Sequence, residues 1–145
     1  MKLRQTSRAR AIIMECVTTD QNYFKFLHPE CGDLKKVVNY SFSLVKSGCT
    51  FYQVQSDGDR SIGYFIIHKN ANKHTLVEFF LNSHLRTKEI VRDFWQIVES
   101  KLNKNYYCQV PSKNIKAIKF LEQNRLKLTD KANIGNQVFY NFVKN

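Results

Sequence analysis

Apolar residues in the first third of the chain recur mainly at helical spacing. Residues 2–6 suit a short first strand, and the helix that follows would begin at Ser7, a favoured N-cap residue. Asp20 is expected to cap a second short helix, and Asp33 a longer helix with a regular apolar face. That face consists of Leu34, Val37, Val38, Phe42 and Val45. This part of the chain is therefore predicted to be mainly helical.

From residue 50 the pattern alternates between apolar and polar positions, which indicates β-strands. Two strands are expected at residues 50–55 and 61–68, and an Asp-Gly pair between them favours a tight hairpin. A second polar turn, at residues 69–73, leads to a third apolar strand at residues 75–81. These three strands would form an antiparallel meander.

The last part of the chain contains both helical spacing and strand-like alternation of apolar residues. A wide apolar face predicts a helix that begins near Thr87, and a short strand at residues 106–110 follows it. A further helix comes next, with apolar positions from Ile115 onward. Two final strands are expected near residues 126–129 and 137–143, with a Gly-Asn turn between them.

The predicted order is strand, helices, three strands, helix, strand, helix and two strands. One strand–helix–strand crossover therefore lies within an otherwise antiparallel sheet. Each amphipathic helix needs the sheet to cover its apolar side, which favours helices on both faces. The chain is predicted to be a single α/β (α+β) domain over residues 1–145, with a central, mostly antiparallel mixed sheet.

Composition and net charge leave the predicted fold unchanged, but they bear on which partners the chain could bind. Apolar residues make up 43% of the 145 residues and aromatic residues 13%, as in a globular domain rather than a disordered chain. The net charge of +11 favours acidic partners, namely nucleic acid, a phosphate-bearing cofactor or an acidic protein surface. The basic residues are spread along the chain, which excludes a basic tail. A solvated lysine-rich surface is the alternative explanation of the charge.

Cysteine and histidine spacing predicts no metal site. The cysteines form no C-x-x-C pair, and no histidine lies at a metal-ligand spacing from one of them. The cysteines are Cys16, Cys31, Cys49 and Cys108. The N-terminal residues lack a signal-peptide pattern, and the apolar runs fall short of the roughly 20 residues of a membrane span. We expect a reduced protein that is not secreted and has no membrane span.

The stretch from Asn114 to Asn124 resembles a motif of the GNAT superfamily of acyl-CoA N-acyltransferases. It carries the motif's Asn at its start, then Ala117, and then the aromatic residue Phe120. As in the family, it follows a short strand and opens a helix, and the order of elements from about residue 51 is also similar. The resemblance implies a GNAT-like fold, with acetyl-CoA as the cofactor and transfer of an acetyl group to an amine.

The family's cofactor loop has lost its glycines in this sequence. In the family, a Gln/Arg-x-x-Gly-x-Gly/Ala loop opens a helix, and its backbone N–H groups hold the pyrophosphate. Glycine lets the phosphate oxygens approach the backbone without a Cβ in the way. The matching loop here has Thr87 at one glycine position and Glu89 or Val91 at the other, and Glu89 adds a negative charge. This pyrophosphate loop is therefore interpreted as degenerate.

The resemblance also implies individual site residues. Arg86, Lys88 and Asn114 are the candidates for binding acetyl-CoA, because the first two are basic residues of the loop and the third matches a position that commonly contacts CoA. Glu78, on the predicted central strand, is the candidate general base. The family's tyrosine acid falls on Leu121, which cannot donate a proton. The alternatives for this acid are Tyr106, Tyr107 and Tyr140.

Two functions stay open at this point. The lost glycines, Leu121 and the replacement of the family's Gly-aromatic pair by Arg125-Leu126 favour a non-catalytic structural or interaction component. Such a component would bind other protein subunits, for example in a phage virion. The element order, Glu78 and Asn114 favour an active acetyl-CoA-dependent N-acetyltransferase acting on an amine of a protein or small molecule. A third hypothesis, that the chain binds nucleic acid, depends on net charge alone. The expected location is the cytoplasm or a virion.

Overall fold

The computed structural model describes residues 1–20 and 31–145 of the chain. The helices in these ranges are α1 (Ala9–Thr19), α2 (Leu34–Lys46), α3 (Lys88–Ser100) and α4 (Ile115–Gln123), with a short 3-10 turn at Ser83–Leu85. The strands are β1 (Lys2–Gln5), β2 (Thr50–Gln55), β3 (Ser61–Asn70), β4 (Lys73–Leu81), β5 (Tyr107–Pro111), β6 (Leu126–Ile134) and β7 (Gln137–Lys144). The short helix predicted after Asp20 lies outside the described residues, and the other predicted elements are present.

Within the described residues, seven strands form a sheet in the order β1-β2-β3-β4-β5-β7-β6. Neighbouring strands are antiparallel except β4 and β5, which run parallel. A parallel pair needs a crossover connection, and α3 supplies it. The mostly antiparallel mixed sheet and the crossover predicted from the sequence are thereby confirmed.

Helices cover both faces of this sheet. Successive strand residues point to opposite sides, so Tyr52 and Phe65 join a core beneath α3 and α4. Their chain neighbours Phe51 and Tyr64 join a second core beneath α1 and α2. We call the two sides the α3–α4 face and the α1–α2 face. The predicted arrangement, with helices on both faces of the sheet, is confirmed.

Several strands extend further than the alternating pattern indicates. β6 continues to Ile134, past the predicted end at residue 129, although most of its side chains are exposed. β3 and β4 continue to a tight turn at residues 71–72, so the predicted turn at 69–73 is too wide. In both places backbone pairing with the neighbouring strand continues while the side chains are polar. Apolar alternation detects only the part of a strand that faces a core.

The chain leaves α4 through a residue with a left-handed backbone. Arg125 has a φ of 67°, whereas Asn124, which the sequence favours for this conformation, has a φ of −96°. The Asn124 side chain instead donates a hydrogen bond to the carbonyl of Phe120, at 2.8 Å. The left-handed residue is therefore the one that replaces the glycine of the GNAT motif.

An extra residue in β4 opens the middle of the sheet. Glu78 lies opposite Ile66 and Leu76 lies opposite Ile67, so Val77 is the additional residue of a β-bulge. β4 and β5 pair at only two positions, and Leu76 is the last of them on β4. A bulge bends the strand that contains it, and the two strands separate from this point onward. We call the space between their carboxyl-terminal ends the β4–β5 gap.

Candidate functional site

A groove lies between α3, α4 and the end of β4, on the α3–α4 face. It encloses a cavity of about 230 Å³. Its apolar lining consists of Phe79, Leu81, Val91, Phe94, Ala117 and Phe120. Two cationic residues, Arg86 and Lys116, complete the lining. The α3–α4 groove therefore combines an apolar interior with positive charge, which suits a ligand that has an apolar arm and an anionic group.

Three aromatic rings hold one wall of this groove in place. Phe79 of β4 contacts Trp95 of α3 edge-on, with 5.4 Å between ring centroids, and Trp95 contacts Phe120 of α4 at 4.8 Å. The centroids of Phe79 and Phe120 are 6.2 Å apart. Edge-to-face contacts of this kind stabilise a core beyond the burial of apolar area. They fix the strand and both helices relative to one another around the groove.

The loop before α3 leads into a normally capped helix. The Thr87 side-chain oxygen accepts the Ile90 N–H at 3.3 Å, and its carbonyl accepts the Val91 N–H at 2.9 Å. The N–H groups of Lys88 and Glu89 make no hydrogen bond to the part of the chain that the structure describes. No residue of this loop has a positive φ. The backbone conformation of this loop therefore does not require glycine.

The predicted cofactor residues have different surroundings. The Arg86 guanidinium lines the groove and donates two hydrogen bonds to the Leu81 carbonyl, from Nε at 2.9 Å and Nη2 at 2.7 Å. Lys88 is exposed and does not line the groove. Asn114 is buried beside the β4–β5 gap, and its side-chain oxygen accepts the Ala117 N–H at 3.3 Å as the N-cap of α4. Their part in cofactor binding stays a prediction.

Lys116 is a groove residue that the sequence reasoning missed. It lies in the first turn of α4, is exposed, and lines the groove opposite Arg86 of the β4–α3 connection. In the sequence it belongs to a group with Lys113 and Lys119, and nothing distinguishes the three. Its position next to Ala117, the small residue of the motif, is the signal that points to it.

The β4–β5 gap is narrow. It holds a cavity of about 10 Å³, and its lining includes Glu78, Gln109 and Asn114. This volume is about that of one water molecule. An acyl group would fit only if the two strands moved further apart. The candidate base and the Asn of the motif therefore lie together at the gap, but the space between the strands is small.

Glu78 is held by a buried tyrosine on the α1–α2 face. The Tyr64 hydroxyl donates a hydrogen bond to Glu78 Oε2 at 2.6 Å, and both residues are buried. Burial raises the pKa of Tyr64 well above its ordinary value, and the Glu78 carboxylate raises it further. The Tyr64 ring stacks between Phe51 and Phe80, at centroid distances of 5.4 and 5.6 Å. The tyrosine therefore stays protonated and keeps the carboxylate in one orientation.

The tyrosines suggested as proton donors lie elsewhere. Leu121, which has no ionisable group, is fully buried in the core beneath α3 and α4. Tyr106 donates its hydroxyl hydrogen bond to a glutamate of α3 at 2.7 Å. Tyr107 and Tyr140 each lie beneath a lysine ammonium group. None of these three tyrosines lines the groove or the gap.

The described ranges contain neither a candidate metal site nor a helix that could span a membrane. No group of three or more His, Cys, Asp or Glu residues there is placed to hold a metal ion. No helix in those ranges has the length and apolar character of a bilayer span. Cys16, Cys49 and Cys108 form no disulfide, and burial raises the pKa of each thiol, that of Cys16 to about 12. These three thiols are therefore poor nucleophiles at neutral pH.

No family model matches the sequence, and no curated protein matches it either. Solved structures do match over nearly the whole chain. An acetyltransferase from Thermus thermophilus superposes with a TM-score of 0.71 at 16% identity, covering 99% of this chain and 97% of that one. A GNAT-family acetyltransferase from Streptococcus agalactiae reaches 0.73 at 14% identity, covering 99% of this chain and 94% of that one.

A third similar structure contains a ligand. The PaiA N-acetyltransferase from Thermoplasma acidophilum, in complex with coenzyme A, has a TM-score of 0.64 at 16% identity and covers 97% of this chain and 96% of its own. At such identities the likeness concerns the fold. This chain therefore has the fold of the GNAT acetyltransferases, as its sequence predicted.

Proposed function

We propose that this chain binds a CoA thioester in the α3–α4 groove. The observation that carries the proposal is an apolar cavity of about 230 Å³ next to a helix start with two unpaired backbone N–H groups. CoA has an anionic pyrophosphate and a long pantetheine arm, in which apolar methylene and methyl groups alternate with amide groups. The N–H groups of Lys88 and Glu89 would bind the pyrophosphate with the help of the helix dipole. The arm would lie along the groove toward the β4–β5 gap.

Packing and charge both support a ligand at this place. Large apolar side chains line an open groove here instead of packing against one another, as they normally do in a protein interior. Arg86 and Lys116 add positive charge beside it. Glu89 opposes them, but its side chain is exposed and its charge is screened by solvent. The Thermoplasma protein, which shares the fold, is in complex with coenzyme A, and this supports binding of CoA by a chain with this fold.

Calorimetric titration of the full chain with CoA and acetyl-CoA tests the proposal. We expect saturable binding, and a rise in melting temperature that grows with ligand concentration by mass action. Lys116→Glu should weaken binding about tenfold, because it places an anion at the groove. Lys119→Glu makes the same charge change on α4 away from the groove, and it should leave the affinity within about twofold. Absence of binding at millimolar CoA would contradict the proposal.

Acetyl transfer to an amine is the second candidate function. The buried Tyr64–Glu78 pair favours it, because a carboxylate fixed at the β4–β5 gap would lie where the thioester carbonyl meets an acceptor. Release of CoA thiol from acetyl-CoA in the presence of a panel of primary amines measures the reaction. Glu78→Gln should lower the rate by about 100-fold or more through loss of the base, with CoA affinity unchanged. An equal rate in that variant would rule out Glu78 as the base.

A non-catalytic role is the alternative to transfer. It is favoured by the buried Leu121, by the narrow gap and by the lack of a described tyrosine at the groove. In that case the fold would serve as a component that binds other protein subunits, with or without CoA. Binding of CoA without release of its thiol, for every amine tested, is the result expected from this role.

A further inference from the structure

A second cavity lies on the other face of the sheet, between strands β1 to β3 and the first turns of α1. Its volume is about 400 Å³. Arg4, Arg8 and Arg60 line it, together with the buried side chains of Gln53 and Gln55. It shares no lining residue with the α3–α4 groove or the β4–β5 gap. We call it the arginine cavity.

The arginines of this cavity are available to a ligand. The guanidinium groups of Arg4, Arg8 and Arg60 form no ion pair or hydrogen bond with the residues that the structure describes. Two carboxylates also line the cavity. Asp59 is paired with the ammonium group of Lys2, and Glu15 is exposed on α1. Positive charge therefore exceeds negative charge at the cavity, which favours an anion.

The start of α1 adds to this positive potential. Arg8 occupies the N-cap position of this 11-residue helix, and its side chain makes no capping hydrogen bond. The first turn contains no acidic residue, and Ala11 and Ile12 of that turn line the cavity. The positive end of the helix dipole therefore faces the same space as the arginines. Three guanidinium groups and one helix end can together bind a phosphate dianion.

Two buried glutamines point to a ligand with hydroxyl groups. Gln53 is 4% exposed and Gln55 8% exposed. Their amide nitrogens donate to Ser61 Oγ and to the Asp59 carbonyl. Their side-chain oxygens accept no hydrogen bond from the described part of the chain. Neither oxygen is sealed from solvent, so each can accept a hydrogen bond from water or from the hydroxyl group of a ligand in the cavity.

We propose that the arginine cavity binds a phosphate ester of a small molecule that carries hydroxyl groups, such as a sugar phosphate or a nucleotide. The phosphate would contact the arginines and the start of α1, and the hydroxyl groups would donate to Gln53 and Gln55. This site is independent of CoA binding in the groove. It also accounts for part of the net positive charge without requiring nucleic acid.

Titration calorimetry with ribose 5-phosphate, AMP, ribose and inorganic phosphate tests the proposal on the full chain. We expect one or both esters to bind at least about tenfold more tightly than inorganic phosphate or ribose, since only an ester satisfies both halves of the site. Arg4→Gln and Arg60→Gln should each weaken ester binding about tenfold. Arg92→Gln, the same change at an exposed residue of α3, should leave it unchanged.

Saturating CoA should leave ester affinity unchanged, because the two sites share no lining residue. Three results would overturn the proposal: no ester binding, inorganic phosphate binding as tightly as the esters, or ester binding that CoA displaces and Lys116→Glu abolishes. The third result would place the ester in the groove instead. Melting curves of Arg4→Gln and Arg60→Gln verify folding, which both exposed positions should preserve.

Discussion

At the scale of single residues, the hydrogen bond between Tyr64 and Glu78 joins two buried polar groups in an apolar layer. Tyr64→Phe keeps the stacked ring but removes the donor, so the carboxylate loses a partner that water cannot replace. We expect the free energy of unfolding to fall by about 1.5–3 kcal/mol, the range for hydrogen bonds to charged groups. Urea unfolding monitored by circular dichroism measures the change.

Tyr52→Phe provides a matched control for that variant. The Tyr52 ring is also buried and stacked, against Phe65, but its hydroxyl meets the ammonium group of the exposed Lys69 at 3.0 Å. Solvent can replace this partner, so the loss should be about 1 kcal/mol or less. Equal losses of unfolding free energy in the two variants would show that the buried Tyr64–Glu78 hydrogen bond stabilises the fold no more than the exposed Tyr52–Lys69 contact.

Single residues also show where sequence reasoning ends. The resemblance gives Arg86 and Asn114 as cofactor candidates, and the structure places Arg86 at the groove and Asn114 beside the gap. It does not reveal that Arg86 binds the Leu81 carbonyl or that Asn114 caps α4. Backbone partners of a side chain depend on how strands and helices meet in space, and residue type alone does not encode them. Lys116 was missed for the same reason.

At the scale of elements, the pairing of β3 with β4 depends on one glycine. A Cβ built on Gly63 would lie 2.3 Å from the Phe80 carbonyl oxygen and 3.3 Å from Leu81 Cα, both backbone atoms of β4. Gly63→Ala would therefore push the two strands apart, with an expected loss of about 3 kcal/mol. Thermal and urea unfolding measure this loss. The end of β4 carries the groove, so CoA affinity should fall as well.

Gly58 in the β2–β3 hairpin is the matched control for Gly63. A Cβ there has no neighbour closer than the Ser56 hydroxyl oxygen at 4.0 Å. Gly58→Ala should change the free energy of unfolding by no more than about 0.5 kcal/mol. A stable, well-folded Gly63→Ala protein would mean that β3 and β4 are further apart than this register implies.

Element types follow from the sequence wherever an apolar face exists. The amphipathic helix that begins near Thr87 and the alternating strand at 50–55 were predicted with nearly correct bounds. The exposed half of β6 was missed, because its side chains do not alternate. The bulge at Val77 was missed as well, since valine suits either face of a strand and only the register with β3 reveals the extra residue.

At the scale of the whole molecule, buried acidic groups predict loss of stability in alkali. Burial raises the pKa of Cys16 from 9.0 to about 12, and burial also raises the pKa values of Cys108 and Tyr64. Between pH 9 and pH 12 the unfolded chain therefore binds fewer protons than the folded chain. The free energy of unfolding must fall as the pH rises through this window.

Urea unfolding at pH 7, 9 and 10.5 measures this loss, and reducing agent excludes disulfide formation. In the double variant Cys16→Ala, Cys108→Ala the decline should be shallower, since two of the titrating groups are gone. At pH 8.5 iodoacetamide should leave both buried thiols of the folded protein unmodified, because neither is accessible nor ionised. A stability that is constant from pH 7 to 10.5 would contradict the prediction.

The architecture of the whole molecule was the most predictable level. The order of elements restricts the possible arrangements to few, because parallel strands need a crossover and amphipathic helices need a sheet. The α3–α4 groove and the arginine cavity were not predictable. Each depends on where helix starts and strand ends come to lie, as Lys116 and Arg60 illustrate by lining different cavities from distant parts of the chain.

Because β4 and β5 pair at only two positions, the sheet is mechanically weak between them. This contact joins two antiparallel plates that share the core beneath α3 and α4, a four-stranded plate from β1 to β4 and a three-stranded plate from β5 to β7. Each plate has its own antiparallel hydrogen bonds. The seam between β4 and β5 can therefore widen without breaking the hydrogen bonds inside either plate. Force or heat should therefore part the molecule along this line first, and amide protons on either side of the seam should exchange before those inside the plates.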